Sequence, residues 1–551
     1  MRAERAPLTI VPIDRSLPDS VRPHCADGRQ IADAHSDCTM TSQSQPDSER
    51  ASRGSSTTSG LFLACWLSGC SLAPPPAVPE PVAELPETFL EAEGPGGYAP
   101  LEWWRDFKDP ALNTLIASTL VSNLDLVEAV ARVEQARAQS GIAWADLFPQ
   151  VQAGADVNRS SQPANTGLGG SFRGLGGDST QTSSTIDRFS FTTYSASLGF
   201  SWELDFWGRA RNDGRAAAAD LMASAADLHA ARLGVLSETI STYFQIVDLR
   251  RRVELTRETA GVLEEREGLA ESRYERGLVS SLDLYQIRQD HRTVQANVPQ
   301  LEAQQSDAQG RLAVLLGQYA GRIEGLLGAV APETSTDPIT VGIPADLLLQ
   351  RPDVRAAAER LEAARFRIGA RKAQLLPRLS LSGSVGQQSD DVGGLFDSGQ
   401  WFTNLIGGLT APVFQGGRLR DNVKLAEAQY QQLAAAFGRT VLTAVYEVET
   451  SLTRYEKERE RYAFLTSQRD EAQSSADLQA QRYAAGVAEY TDYLDAVRQL
   501  LGVGSTLSAA GTELALARLA VYRALGGGWT DSESSSVVGK APTATLTEVN
   551  R

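Results

Sequence analysis

Cysteine and histidine are nearly missing from the body of this 551-residue chain. All four cysteines (Cys25, Cys38, Cys65 and Cys70) fall within the first 70 residues, and beyond them only His229 and His291 remain. No Cys/His metal set of ordinary spacing, no disulfide framework and no Cys–His nucleophile pair can be drawn in the body. Basic charge is short as well. The 52 Lys and Arg stand against 68 Asp and Glu, a formal charge of −16. That balance argues against nucleic acid as partner, because a phosphate backbone needs clustered Lys and Arg. There is no G-x-S-x-G elbow, no P-loop and no H-E-x-x-H. The Gly-rich run 167–177 lacks the Gly-Lys-Ser/Thr ending of a phosphate cradle and reads as a loop. The expectation is a chain that is not an enzyme and uses no cofactor or metal.

What is present is said twice. The stretch Arg273–Asp283 returns as Arg482–Asp492, with Tyr274 and Tyr483, Gly277 and Gly486, and Asp283 and Asp492 each 209 positions apart. The same offset joins Arg209 to Arg418, Arg211 to Arg420, and Leu316-Gly317 to Leu525-Gly526. A constant offset held so long marks an internal tandem duplication, with a unit of roughly two hundred residues instead of a short solenoid repeat. Phe148-Pro149 and Leu376-Pro377 lie 228 apart, so the first copy carries about 20 extra residues in a surface loop, where insertions are tolerated.

In chain order, residues 1–59 are polar and aperiodic and read as disordered. Gly60–Leu67 is apolar but too short to span a bilayer. With Arg50 and Arg53 before it and Leu67-Ser68-Gly69-Cys70 after it, the run reads as a secretory signal. Pro74 to Pro100 reads as an extended tether. Helical period begins near Trp103 and ends before Pro149. Period two follows at 149–158 and again at 194–204, where Tyr194, Ala196, Leu198, Phe200, Trp202 and Leu204 alternate with small polar residues. A loop is expected over 159–190 between them. The second copy repeats the pattern at 379–385, with a weaker strand at 402–413. Strands with one apolar and one small polar face suit a membrane barrel, although a soluble hairpin shows the same alternation. A helix from Arg209 to Arg276 would be close to 100 Å long. Its partner runs from Ser281 to Leu316, and Asp421–Arg482 with Thr491–Leu525 repeat the pair. Helices of this length need coiled-coil partners. Four strands cannot close a barrel, so several copies must share one.

This order of parts resembles the TolC-type outer-membrane efflux family, and more narrowly the lipoprotein outer-membrane factors of resistance-nodulation-division (NodT-like) drug efflux systems. The most specific pieces are Trp202-Glu203-Leu204-Asp205-Phe206-Trp207-Gly208-Arg209 and Gln350-Arg351-Pro352-Asp353-Val354, joined by the two turn motifs. Leu67–Cys70 resembles the lipobox of bacterial lipoproteins, which implies lipidation at Cys70, a start at Met40 instead of Met1, and sorting to the outer membrane of a Gram-negative bacterium. The resemblance covers roughly 100–529. It implies an α plus transmembrane-β fold: a homotrimeric, 12-stranded outer-membrane barrel continued by a long α-helical coiled-coil periplasmic barrel. It also implies a periplasmic adaptor (membrane fusion protein), an inner-membrane pump and outer-membrane lipid as partners.

Asp283 and Asp492 open helices after the Gly turns, where they serve the N-terminus and its dipole. The resemblance places them, with Asp495, near a closed periplasmic aperture, where rings of carboxylates would select cations or respond to pH. Tyr483 matches a tyrosine that helps tie the inner hairpin shut. The basic partner of that latch would fall at Ala488, which carries no charge, leaving Arg482 as a substitute. Gly277, Leu278 and Val279, with Gly486 and Val487, form the hairpin tips that would meet the adaptor. The expected parts are a leader over 1–69, a Pro-rich lipidated tether over 70–100, a first repeat over 101–330, a second over 331–529 and a disordered tail over 530–551. Substrate would pass without chemistry on this chain. The rivals are a duct for type I protein secretion, a lipid-anchored envelope coiled coil, which would not need alternating strands, and a periplasmic lipoprotein enzyme, which would need a catalytic set.

Overall fold

A computed structural model describes residues 72–75, 102–163, 188–319, 321, 327, 335–339 and 351–527. All lie in one compact unit, Trp66–Arg551. The leader, Cys70, Tyr98 and the other tether residues beyond Pro75, the run 167–177 and the tail 530–551 lie outside the described residues.

A 3-10 turn (Trp103–Phe107) leads into α1 (Pro110–Ser122) and α2 (Leu124–Ala145). Strands β1 (Gln150–Pro163) and β2 (Arg188–Leu204) follow, then the long hairpin α3 (Arg209–Glu275) and α4 (Ser281–Leu315). The second half repeats this order as α5 (Pro352–Ala373), β3 (Arg378–Ser389), β4 (Trp401–Thr410), α6 (Arg418–Ala484) and α7 (Tyr490–Ala524). Helices α3 and α6 each have 67 residues, α4 and α7 each 35, and α2 and α5 each 22. At 1.5 Å per residue the longest run about 100 Å.

The helical period after Trp103 is not one helix. Asn123 sits extended between α1 and α2, which meet at 41°. Its side chain accepts from Leu126 N at 3.0 Å and its Nδ2 donates to Leu315 O at 2.9 Å. The residue thus starts one helix while covering the exposed end of another, which an unbroken helix could not do. Arg351 repeats this in the second half: Nη1 donates to Ala524 O at 2.8 Å, and Pro352 opens α5. The Arg351–Val354 motif is therefore a lock between a helix start and a helix end. Burial works against the Arg351 guanidinium, but bonds to Asp353 and Glu447, each 2.7 Å, hold it firmly charged.

The four strands form one antiparallel sheet in the order β1-β2-β3-β4. Its register puts Val151 opposite Phe200, Ala153 opposite Leu198, Phe200 opposite Gly383, Trp202 opposite Leu381, and Gly383 opposite Leu405. Because opposed residues share a face, Val151, Leu198, Phe200, Trp202, Leu381, Val385, Leu405 and Leu409 share one side, while Phe402 and Ile406 of β4 fall on the other. The first side is uncovered: Leu198 is 50 % exposed, Leu405 71 % and Leu409 72 %. The other side carries Ser195, Ser197, Ser201, Ser380, Ser382 and Ser384. Strands β1 and β2 extend into the expected loop, pairing as far as Pro163 with Arg188. Ser, Thr and Asn hid them, since residues of that size suit either a turn or the small-residue face of a strand.

The main core lies around the middle of α3. Leu236, Ile240, Tyr243, Phe244 and Leu249 meet Leu112, Leu115 and Ile116 of α1, Leu312 of α4 and Leu519 of α7. Trp103 and Trp104 are buried in it, with Trp103 stacked on Tyr522 at 5.2 Å. Asp109 fixes this entry: it accepts from Ala111 N and Leu112 N, and from the Tyr243 hydroxyl at 2.5 Å. By composition α7 is long and apolar enough to cross a membrane, yet it packs lengthwise on α6 and α3. Its apolar character serves those contacts.

Candidate functional site

The two helical hairpins turn in the same way. Gly277 (φ 71°) and Gly486 (φ 72°) take the left-handed conformation that glycine adopts without strain. Gly277 N donates to Tyr274 O and Leu278 N to Arg273 O; Gly486 N donates to Tyr483 O and Val487 N to Arg482 O. These pairs satisfy the last carbonyls of α3 and α6. Each following helix opens with a capping box, Ser280 with Asp283 and Glu489 with Asp492. Both aspartates are exposed and both serve the helix N-terminus, one of the two roles expected of them. Leu278 and Val487 project from the tips at 69 % and 67 % exposure, and Val279 is half-buried.

The tips lie side by side because α7 is tied to α3. Arg273 Nη1 meets Glu489 Oε2 at 3.0 Å, Tyr490 donates to Glu265 Oε2 at 2.8 Å, and Arg266 Nη1 meets Asp495 Oδ1 at 2.5 Å. Farther along, Ser508 donates to Asp248 at 3.1 Å, and burial pushes that carboxyl upward. The Arg273 bond holds Glu489 below the usual carboxylate range. The bond to Glu265 pushes the Tyr490 phenol up to about 12. Asp495 has a second cation, Arg498, at 3.8 Å, and Asp492, Asp495, Arg498, Ser475 and Gln479 line a polar groove of about 510 Å³.

Tyr483 is half exposed and its ring packs at a tilt on Tyr490 at 4.8 Å, as Tyr490 does on Tyr493 at 5.9 Å. The hydroxyl that reaches the neighbouring hairpin thus belongs to Tyr490, which sequence reasoning passed over. The cations are Arg266 and Arg273, from the first half of the chain, whereas Arg482 is exposed and Ala488 neutral. The outer hairpin is fastened separately: His291 Nδ1 lies 2.6 Å from Glu267, and Arg288 bonds Glu267 and Glu271. Among the described residues no group of acids, His or Cys is placed to hold a metal ion.

At the other end, Trp202-to-Arg209 is the joint between sheet and helix. Trp202 Nε1 donates to Leu147 O, Trp207 Nε1 to Pro377 O, and Asp205 accepts from Ala210 N and Arg211 N to cap α3. Arg209 bonds Glu203 at 3.0 Å.

Comparison with known proteins agrees with this geometry. Residues 115–318 and 343–527 match the family described as outer membrane efflux protein. The chain is 32 % identical over 475 residues to the pyoverdine export outer membrane protein OpmQ of Pseudomonas putida, covering 85 % of this chain and 97 % of that one. It is 31 % identical over 487 residues to outer membrane protein OprJ of Pseudomonas aeruginosa, covering 86 % and 96 %. Among solved structures, the Campylobacter jejuni CmeC outer membrane channel superposes with a TM-score of 0.74 at 26 % identity, covering 85 % of this chain and 97 % of that one. The outer-membrane channel OprN gives 0.72 at 29 %, covering 84 % and 100 %. Both of these solved structures are described as outer-membrane channels.

Proposed function

This chain belongs to the outer membrane efflux protein family, and from that premise we propose that three copies form the outer-membrane exit duct of a tripartite efflux pump. The carrying observation is the sheet: one uncovered apolar face, a second face carrying most of the serines, and edges at β1 and β4 that are unpaired among the described residues. A membrane sheet must close, because unpaired backbone groups in hydrocarbon cost several kcal/mol each. Pairing β4 of one copy with β1 of the next gives twelve strands from three copies, with apolar residues toward lipid and serines toward a water-filled lumen. The matched lengths of the two halves support descent by tandem duplication. The long hairpins continue the lumen through the periplasm as a helical wall.

No chemistry is performed on the substrate. The names of the relatives, for pyoverdine export and for solvent and antibiotic efflux, favour small molecules over secreted proteins. Energy comes from an inner-membrane resistance-nodulation-division pump, and its adaptor meets the exposed Leu278 and Val487 at the tips. The ties of α7 to α3 hold the aperture narrow, with Asp492 and Asp495 facing it, and opening swings the α6–α7 hairpin away from α3. Acylation at Cys70 adds a lipid anchor to the barrel. The test is ion conductance of the purified protein in a planar bilayer. A small cation-selective current supports the duct, and no current from protein shown to be inserted and trimeric overturns it in favour of an envelope scaffold.

A further inference from the structure

A buried arginine in α7 has no carboxylate to pair with. Arg518 is 6 % exposed, and among the described residues its Nε has no hydrogen-bond partner. Its Nη1 reaches only neutral oxygens: Ser335 Oγ at 2.8 Å, the Tyr455 hydroxyl at 3.4 Å and Asp337 O at 3.5 Å. Two carboxylates nearby are engaged elsewhere, Asp337 with Lys108 at 3.2 Å and Asp106 with the Tyr522 hydroxyl. A cation held this deep costs free energy unless an acceptor meets it. The paired helix of the first half does without one, since the residue 209 positions earlier, on α4, is Gln309.

Arg518 stands at one end of a cavity of about 500 Å³ between α3, α6 and α7, a size at which small organic ligands bind. Buried Phe107, Phe244 and Ala515 close that end around it. The α3 wall extends from Phe244 to Glu258, about 21 Å along the helix axis, so the space is long and narrow. Val247, Leu255, Leu500 and Leu507 line its length, and Gly504 faces it without a side chain. A Cβ at Gly504 would meet only Leu255, at an ordinary 3.7 Å. Alanine would fit there and favour the helix, so glycine leaves room at the helix's expense. Arg469 and Gln473, both exposed, mark the open end. Arg251 also lines the cavity, and Glu258 is the one acid against three arginines. Arg251 and Arg469 have partners in Glu254 and Asp470. Arg518 is the cation left unanswered.

We propose that this cavity binds a single-chain anionic amphiphile, with its carboxylate on Arg518 and its chain along Leu255, Leu507, Gly504 and Leu500. Such a ligand touches α3 on one side and the α6–α7 hairpin on the other. It therefore fastens the hairpin to α3 and opposes the opening swing. That effect rests on the duct proposed above; the site does not.

The test uses the full-length protein in lipid nanodiscs, with decanoate carrying a terminal diazirine as the probe. After irradiation, labelled peptides are mapped by mass spectrometry. The expected result is labelling of α7 between Leu500 and Leu507, or of α3 at Leu255, suppressed by excess decanoate and not by decyltrimethylammonium. It should fall roughly tenfold or more in Arg518→Gln, which installs the residue of the first half, and in Gly504→Leu, which fills the cavity. If the arginine variant fails to accumulate, Gly504→Leu decides, because it leaves the buried cation in place. Labelling confined to the apolar face of the sheet, undiminished in Gly504→Leu, or displaced equally by the cationic amphiphile overturns the site. In planar bilayers decanoate should lower the wild-type current and spare that of Gly504→Leu. A labelled cavity with no such difference leaves the site standing and overturns its effect on opening. A labelled cavity with no current from either chain counts against the duct, and again leaves the site standing.

Discussion

Removing the Asp495 carboxylate should loosen the tip end of the inner hairpin. Arg266 keeps 20 % of its side chain exposed, Asp495 keeps 45 %, and their contact is 2.5 Å. An exposed ion pair contributes about 0.2–1 kcal/mol, and the half-buried position of Arg266 puts this one near the upper end. Its Nε is buried without a partner, so loss of Asp495 strands the guanidinium further. Taking about 1 kcal/mol per copy, the proposed trimer, opening as a unit, would lose about 3 kcal/mol, or roughly a hundredfold in its closed-to-open ratio. Single-channel recording of Asp495→Ala in planar bilayers should show a clear rise in open probability over wild type. At about 1 M salt, where the screening length falls to about 3 Å, the difference should shrink. The charge-swapped pair Arg266→Asp with Asp495→Arg should return the channel toward its resting current. An unchanged Asp495→Ala channel, or a swap as leaky as either single change, would refute the reasoning.

Acid should open the aperture late. Glu489 has its carboxyl depressed by Arg273, so its tie is fully present above the free-glutamate value of about 4.3 and fails only as pH falls through the lower folded value. Conductance should stay flat from neutral pH to about 5 and rise below about 4, with a smaller rise in Glu489→Gln. Arg351→Ala removes the bonds to Ala524 O, Asp353 and Glu447 and should destabilise the fold by about 2–3 kcal/mol, seen as a lower denaturant midpoint; Arg351→Lys recovers part, since an ammonium cannot reproduce the guanidinium fork. On the apolar face of the sheet, Leu405→Lys should block membrane insertion, as a lipid-facing lysine costs about 2–4 kcal/mol near the midplane. Normal insertion and heat stability of that variant would argue for a sheet that never meets lipid.

The element order was legible because its signals are periodic and long. Helix α3 begins at Arg209 as read and ends at Glu275, one residue from the expected Arg276, since no proline interrupts it and a glycine stops it. The apolar face of β2 was read residue by residue. The bend at Asn123 was not, because its cause is the Leu315 carbonyl 192 positions away, and no local window contains it. The buried Trp103 escaped for the same reason: a tryptophan at the end of a proline-rich segment says nothing about the Tyr522 ring waiting for it. At the tips, capping acids follow from glycine-then-acid spacing. That Tyr490, not Tyr483, reaches α3 depends on the rotation of α7, which is set by packing along its whole length.

The unpaired edges of β1 and β4 have a genetic consequence. If every barrel is shared by three copies, a chain whose edge cannot pair spoils the two good copies beside it. When such a chain and the normal one are made in equal amounts and mix freely, only about one assembly in eight is free of the defect. Edge-strand mutations in this protein should therefore behave as dominant, whereas mutations confined to the Arg351 lock, which act within one chain before assembly, should behave as recessive.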